Sequence, residues 1–148
     1  MKIRWICENE NVTDESVSSV EKKFGVKFPV DYIDIIRNND GGYPVPNRFN
    51  LQGNEEVLNN LLSFHEEDCC YIVNTYCDIN ERLVDKIIPF AEDPFGNMIC
   101  FDYRNDDRNP IVVFWDNEKS YTDKEGAIYH ICDSFSELIQ SLHESTES

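Results

Sequence analysis

Two apolar runs joined by a turn stand out in the hydrophobic pattern of the chain, within residues 87–103. The turn is specified locally, because Asp93 suits the first position of a type I turn, Pro94 fixes φ at the second, and Gly96 suits the fourth. Apolar runs on both sides of such a turn are typical of paired strands. The pattern therefore predicts a central β-hairpin.

The other strand predictions rest on how apolar positions alternate. Residues 48–52 alternate between apolar and polar, as a half-buried strand does, and residues 127–132 form a further predicted strand. Residues 111–116 are apolar on both faces, which favours a central strand. Residues 43–47 hold two prolines and are predicted to be a stiff connection. Residues 58–64 fit a strand or a helical turn, with a strand favoured.

Four segments show the spacing of short amphipathic helices. Thr13 is a good N-cap for the first, and Gly25 suits the C′ position that ends it. Ser134 opens a capping box for the last. The four predicted helical segments are residues 13–25, 28–42, 69–79 and 134–142.

The order of these elements favours the α+β class, because hairpin-linked strands lie between helices that cluster towards the ends of the chain. At 148 residues the chain is long enough for a single core. We therefore expect one domain over residues 1–148, with a mostly antiparallel central sheet, flanking helices and a frayed tail at residues 143–148.

The charge is large and unevenly distributed. The net charge is −16; residues 1–53 carry 7 basic and 8 acidic residues, whereas residues 54–148 carry 6 basic and 21 acidic ones. Such a field repels nucleic acid and anionic membranes and attracts a cationic partner, although the same carboxylates could serve solubility alone. No apolar run approaches the length of a membrane span or a signal peptide, so we expect a soluble cytoplasmic protein.

The six cysteines contain no C-x-x-C pair and lie among apolar residues, so they are interpreted as reduced and structural. The adjacent Cys69 and Cys70 are interpreted as core residues on the face of the third helix. Asn38-x-Asp40-Gly41 resembles a fragment of a calcium loop but lacks the required acid two positions earlier. No metal and no cofactor is predicted.

Enzymatic signatures are weak. The chain has no G-x-S-x-G elbow and no P-loop, and His65, His130 and His143 fall in different segments. Glu92 and Asp102 could face each other across the hairpin as an acid and a base, but chance pairs of carboxylates are common in so acidic a chain. We therefore expect a protein without catalytic residues.

Recognition of a positively charged protein fits the pattern better. Acidic residues at strand ends and turns are expected to reach solvent from a rigid frame, and Phe95 on the turn could be an aromatic anchor. Tyr103 or Trp115 could serve in the same way, although a core position is favoured for Trp115. The candidate partner-binding residues are Glu92, Asp93, Phe95, Asp102, Asp106, Asp107 and Asp116.

Three stretches together resemble the SUKH superfamily, which comprises bacterial immunity proteins related to the fungal cell-wall-assembly regulator. They are the helix at residues 13–25, the segment Phe28-Pro29-x-x-Tyr32 that runs to the glycine pair at 41 and 42, and the hairpin at residues 88–102. With Ser134-Phe135-x-Glu137-Leu138, the likeness covers residues 12–142. Phe28 departs from the family's usual leucine, a change that a core tolerates.

The resemblance implies a non-catalytic α+β domain that neutralises a secreted polymorphic toxin, frequently a nuclease, by direct binding. Its recognisable residues are mainly scaffold, so contacts with a partner do not transfer from them. We accordingly expect an immunity protein, monomeric when free, with a basic nuclease domain as its cognate toxin. The alternative is a regulatory scaffold that binds cellular proteins without a toxin partner.

Overall fold

The computed structural model describes residues 3–146, which form four α-helices and nine β-strands. The helices are α1 (Asp14–Phe24), α2 (Val30–Ile36), α3 (Ile72–Ile79) and α4 (Phe135–Ser141). The strands are β1 (Arg4–Ile6), β2 (Tyr43–Val45), β3 (Arg48–Leu51), β4 (Asn54–Val57), β5 (Asn60–Leu61), β6 (Ile87–Glu92), β7 (Met98–Asp102), β8 (Ile111–Trp115) and β9 (Ile128–Cys132).

The main sheet has five antiparallel strands in the order β5-β6-β7-β8-β9. The predicted hairpin is its β6–β7 pair, and the predicted central strand is β8, which lies between β7 and β9. Pro89 lies in the part of β6 that extends beyond the short strand β5. Because this edge of β6 has no partner strand there among the described residues, the N–H that proline lacks costs the sheet no hydrogen bond. The α+β prediction with a mostly antiparallel sheet is confirmed.

Two smaller antiparallel sheets flank the main one, β1 with β2 and β3 with β4. The prediction of a stiff connection at residues 43–47 is wrong for residues 43–45, because β2 pairs with β1 and Pro44 lies opposite Trp5. Of the ambiguous residues 58–64, only Asn60 and Leu61 form a strand.

Helices α1 and α4 begin as predicted. The Thr13 hydroxyl accepts a 3.1 Å hydrogen bond from the Ser16 N–H, and the Ser134 hydroxyl accepts one of 3.1 Å from the Glu137 N–H. Gly25, at φ 69°, ends α1 in the left-handed conformation that glycine adopts without strain. Local cap chemistry thus places both helices.

Helices α2 and α3 are shorter than predicted, since tertiary hydrogen bonds compete with the helical ones. Beyond Ile36 the chain leaves α2, and the Asp40 carboxylate is buried against the backbone N–H of Phe64 at 2.6 Å. Before α3, Ser63 forms a parallel bridge with Tyr71, so the residues preceding Ile72 are not helical.

Apolar side chains cover both faces of the main sheet. On one face an aromatic cluster includes Tyr32 of α2 and the stacked pair Phe90 and Phe101, whose ring centroids lie 4.2 Å apart. On the other face a second cluster includes Trp115 and Ile87. Burial on both faces explains why β8 is apolar throughout.

The cysteines are less uniformly buried than predicted. Cys100 and Cys132 are buried and all six are free thiols, but Cys69 and Cys77 are exposed. The interpretation of Cys69 as a core residue is therefore wrong, because the chain around it is not helical and its side chain faces solvent.

The tail expected to fray is tied to the β3–β4 sheet as far as Thr146. His143 exchanges backbone hydrogen bonds of 2.9 and 3.0 Å with Arg48, and the Thr146 N–H donates to the Glu55 carboxylate at 3.1 Å. Residues 147 and 148 of the predicted frayed segment lie outside the described residues.

Candidate functional site

The seven predicted partner-binding residues lie at opposite ends of the main sheet. Met98 pairs with both Glu92 and Trp115, whereas Asp102, at the other end of β7, pairs with Ile87 and Ile111. Four steps along an antiparallel strand separate these ends by about 13 Å. At the hairpin turn lie Glu92, Asp93, Phe95 and Asp116, and at the other end lie Asp102, Asp106 and Asp107.

Asp93 supports the turn from the inside. Its Oδ1 accepts 2.8 Å hydrogen bonds from the backbone N–H groups of Phe95 and Asn97, and its Oδ2 accepts one of 2.8 Å from the Asn97 side-chain amide. Only 5% of Asp93 is exposed. The expectation that this carboxylate reaches solvent is therefore wrong, because the turn uses both of its oxygens.

Phe95 points away from this turn and is 79% exposed, more than any other large apolar side chain of the described residues. Gly96, at φ 89°, takes the left-handed position next to it. The turn is also tied to the loop after β8, since the Asn117 N–H donates to the Asn97 side-chain oxygen at 3.0 Å. A rigid frame therefore presents an exposed aromatic ring.

Carboxylates lie at the same end of the sheet as this ring. Glu92 ends β6, Asp116 follows β8, and Glu56 of β4 lies near enough that its pKa is raised, first by burial and then by the negative charges of Asp93 and Asp116. We call Glu56, Glu92, Phe95 and Asp116 the turn-end surface. Sequence reasoning missed Glu56, because the position of the β3–β4 sheet depends on long-range packing.

The opposite end of the sheet has a mixed charge. Asp102 is only 4% exposed, and its carboxylate receives the Arg104 guanidinium in a two-pronged contact with a shortest distance of 2.8 Å. This carboxylate raises the pKa of Arg104. The expectation that Asp102 reaches solvent is wrong, because it is the internal partner of that cation.

Asp106 and Asp107 are exposed, as predicted, but both already have partners. The Asp106 carboxylate accepts backbone hydrogen bonds of 2.8 Å from Arg108 and 3.1 Å from Asn109, and these donors lower its pKa. Asp107 lies 3.7 Å from the Lys86 ammonium. A groove beside them is lined by Lys22, Lys27, Lys86 and Arg108. The acidic character is therefore stronger at the turn-end surface.

Of the three aromatic candidates, only Phe95 is accessible. Trp115 is fully buried, in keeping with its predicted core position, and its indole N–H donates to the Arg82 carbonyl at 3.3 Å. Tyr103 is buried as well, and its hydroxyl donates to the Lys27 carbonyl at 2.8 Å.

The possible acid–base pair on the hairpin does not form. Glu92 pairs with Met98 and Asp102 with Ile87, so the two carboxylates lie at opposite ends of the hairpin. The three histidines also lie apart: the ring nitrogens of His65, His130 and His143 contact the Glu10 carbonyl and the carboxylates of Asp133 and Glu55, respectively.

One buried carboxylate connects three segments of the chain through hydrogen bonds. The sequence did not indicate this network. Asp40 accepts hydrogen bonds from the Ser63 hydroxyl at 2.5 Å and from the Asn9 side-chain amide at 2.9 Å. The same amide also donates to Asp68 at 2.9 Å. Asp40, the acid of the fragment that resembles a calcium loop, thus orders the neighbouring loops. No local sequence motif indicated these contacts.

The comparison with protein families covers most of this fold. The model of the SMI1/KNR4 family (SUKH-1) matches residues 11–141. The chain belongs to this family. It is also similar to an uncharacterized SPbeta prophage-derived protein of Bacillus subtilis, YokK, with 26% identity over an alignment length of 156; the alignment covers 88% of this chain and 74% of that protein.

The helices differ from membrane spans in length and polarity. Among residues 3–146, every helix is too short or too polar to cross a bilayer. The longest, α1, has 11 residues, whereas a membrane span needs about 20.

Proposed function

We propose that this SUKH-1 protein is an immunity protein that binds a cognate polymorphic toxin, a nuclease with a basic surface, and blocks it without catalysis. The observation that carries the proposal is the exposed ring of Phe95, held on a hydrogen-bonded turn at the same end of the sheet as Glu92, Glu56 and Asp116. The net charge of −16 supports the same kind of partner.

The physical argument begins with what a nuclease needs. Its substrate site must attract phosphates, so it carries clustered basic residues. An acidic protein surface can occupy that field, and long-range attraction raises the rate of encounter. An aromatic anchor at the centre of the contact then slows dissociation, because buried aromatic residues contribute much of the energy of tight interfaces. The turn-end surface combines the two features.

We also propose that the protein acts as a monomer in the cytoplasm, where the nucleic acid to be protected lies, and that it needs no cofactor. Asp93 has a supporting role in this proposal, because its carboxylate fixes the backbone that carries Phe95. Asp106 and Asp107 lie at the far end of the sheet and are assigned to a secondary contact region, in which the buried Asp102 only holds Arg104 in place.

The test is rescue from toxicity. A toxin domain sought among the genes adjacent to this one is expressed in a bacterial host alone, with the wild-type protein, and with a Phe95→Ala variant. We expect the wild type to restore growth and to copurify with the toxin, and the variant to protect less. Val30→Ala is the matched control, since Val30 is 73% exposed but lies at the start of α2.

Two outcomes would count against the proposal. Failure of the wild type to rescue growth or to form a complex would defeat the immunity function and favour the alternative, a regulatory scaffold for cellular proteins. Rescue that is equally strong in the Phe95→Ala and Val30→Ala variants would move the contact away from the turn-end surface.

A further inference from the structure

Two adjacent thiols and a carboxylate lie together in the loop before α3. The carboxylate of Asp68 and the Sγ atoms of Cys69 and Cys70 are all within 4.8 Å of one another. Cys69 is exposed and Cys70 is half-buried, so one side of the group faces solvent. This group lies outside the predicted site, and the sequence interpretation treated its thiols as core.

The spacing of the sulfur atoms suits a single tetrahedral ion. Zinc–thiolate bonds are about 2.3 Å long, so two sulfurs on one tetrahedral ion lie about 3.8 Å apart. The Sγ atoms of Cys69 and Cys70 are 3.7 Å apart. The two thiols therefore already have the separation that a shared ion requires.

The loop around these ligands is fixed by hydrogen bonds. The Asp68 carboxylate accepts the Cys70 N–H through Oδ1 at 2.8 Å and the Asn9 amide through Oδ2 at 2.9 Å. The Cys70 carbonyl accepts the Ser63 N–H at 2.9 Å. Each carboxylate oxygen keeps a further lone pair for an ion. Such outer contacts orient ligands and increase metal affinity.

The surroundings give access and negative charge. A surface cavity of about 380 Å³ is lined by Asp68, Cys69 and Cys70 together with Cys7 and Asn60. The Glu92 carboxylate lies 3.4 Å from the Cys70 sulfur and adds a negative charge beside the ligands.

We propose that Asp68, Cys69 and Cys70 form a binding site for a thiophilic divalent cation of the Zn²⁺ class, with water in the fourth position. Binding replaces the protons of the two thiols with two metal–sulfur bonds and releases both protons to solvent. The carboxylate of Asp68 supplies the third bond without losing a proton. Thiolate ligands favour zinc over magnesium or calcium, which prefer sites made of oxygen alone. This proposal does not depend on the identity of a protein partner.

The first experiment is a titration of the reduced full-length protein with Cd²⁺, a spectroscopic probe for zinc–thiolate sites. We expect ultraviolet charge-transfer absorption that saturates at one equivalent and is reversed only by a large excess of Zn²⁺. Cys69→Ser should remove most of this absorption. Cys77→Ser is the matched control, because Cys77 is also exposed but lies within α3. No saturable absorption, or equal absorption in both variants, would overturn the site.

A second measurement uses the wild type alone and so does not depend on how a variant folds. Zn²⁺ should protect Cys69 and Cys70 from alkylation, mapped by mass spectrometry, while Cys77 remains reactive. Calorimetry in buffers of different ionisation enthalpy should show the release of about two protons for each ion bound while both thiols are protonated. Unchanged alkylation of Cys69 and Cys70, or binding without proton release, would contradict thiolate ligation.

The role of Asp68 can be tested separately from the thiols. Asp68→Asn keeps the size of the side chain and an oxygen that can accept the Cys70 N–H, but it removes the charge that faces the ion. We expect the affinity for Zn²⁺ to fall by at least about 10-fold, in line with losses seen around metal centres. An unchanged affinity would remove Asp68 from the ligand set and contradict the three-ligand site.

Discussion

The Oδ1 atom of Asp93 accepts a 2.8 Å hydrogen bond from the backbone N–H of Phe95, the most exposed large apolar side chain of residues 3–146. A buried carboxylate thus holds an exposed aromatic ring in place. The two residues have different roles although both were predicted to contact a partner. Asp93 determines the shape of the turn, and Phe95 is the part of the turn that a partner can reach.

Replacing Asp93 with alanine should destabilise the protein. The change removes three hydrogen bonds to a charged acceptor and leaves two part-buried backbone N–H groups without this partner. We expect the free energy of unfolding in urea to fall by about 2–4 kcal/mol. Asp107→Ala is the control, and its exposed position predicts a change within about 0.5 kcal/mol. Equal losses in the two variants would contradict the structural role of Asp93.

Replacing Phe95 with alanine should weaken binding without affecting stability. Truncation of a central aromatic anchor typically costs about 2 kcal/mol, which corresponds to a roughly 30-fold increase in Kd for the toxin. The urea midpoint should stay within error of the wild type, because the ring is 79% exposed. Calorimetry or surface plasmon resonance measures the affinity, with Val30→Ala as the control. An unchanged Kd would exclude Phe95 as the anchor.

The sequence allowed prediction of those elements whose signals are local. The turn residues Asp93, Pro94 and Gly96 specify the hairpin, and the side chains of Thr13 and Ser134 specify where α1 and α4 begin. Each of these signals acts within about four residues, so no knowledge of the tertiary fold is required.

Other features depend on contacts between distant segments. Pairing of Trp5 with Pro44 and the hydrogen bonds of Asp40 to Ser63 and Phe64 cross long stretches of chain. A local pattern therefore cannot reveal them. The same applies to Asp102, because a carboxylate at a strand end has the same sequence signature whether it faces solvent or the interior.

The separation of the candidate residues into two groups was predictable in principle. Successive connections in an antiparallel meander lie at opposite ends of the sheet. The turn that carries Phe95 and the loop that carries Asp106 are such successive connections, so they could not form one patch. The hairpin predicted within residues 87–103 thus already implied that Phe95 and Asp106 lie at opposite ends of the sheet.

The pKa of the His65 imidazole should lie above the ordinary value for histidine. Its Nε2 lies 2.8 Å from the Glu10 carbonyl, and this hydrogen bond, with the charges of Asp40, Glu67 and Glu10, raises its pKa against the opposing effect of burial. The protonated imidazole therefore stabilises the folded state. This contribution is fully present below the unfolded pKa of about 6.5 and is lost as the pH rises through the pKa of His65 in the folded protein.

NMR titration of the His65 ring measures this effect directly, with the urea-unfolded protein as the reference. We expect the midpoint of the folded protein to lie above that of the reference. Urea unfolding of His65→Gln should show less loss of stability than the wild type as the pH rises above about 6.5. A folded midpoint at or below the reference would show that burial outweighs the hydrogen bond and the nearby charges.

Charge at the two ends of the sheet should affect association unequally. Glu56→Gln with Asp116→Asn removes two charges from the turn-end surface, and Asp106→Asn with Asp107→Asn removes two from the opposite end. Long-range attraction scales with the charge facing the partner, so the first pair should slow association several-fold at low ionic strength and flatten its salt dependence. Stopped-flow measurements at a series of salt concentrations provide the comparison. A larger effect from the second pair would place the toxin contact at the Asp106 end of the sheet.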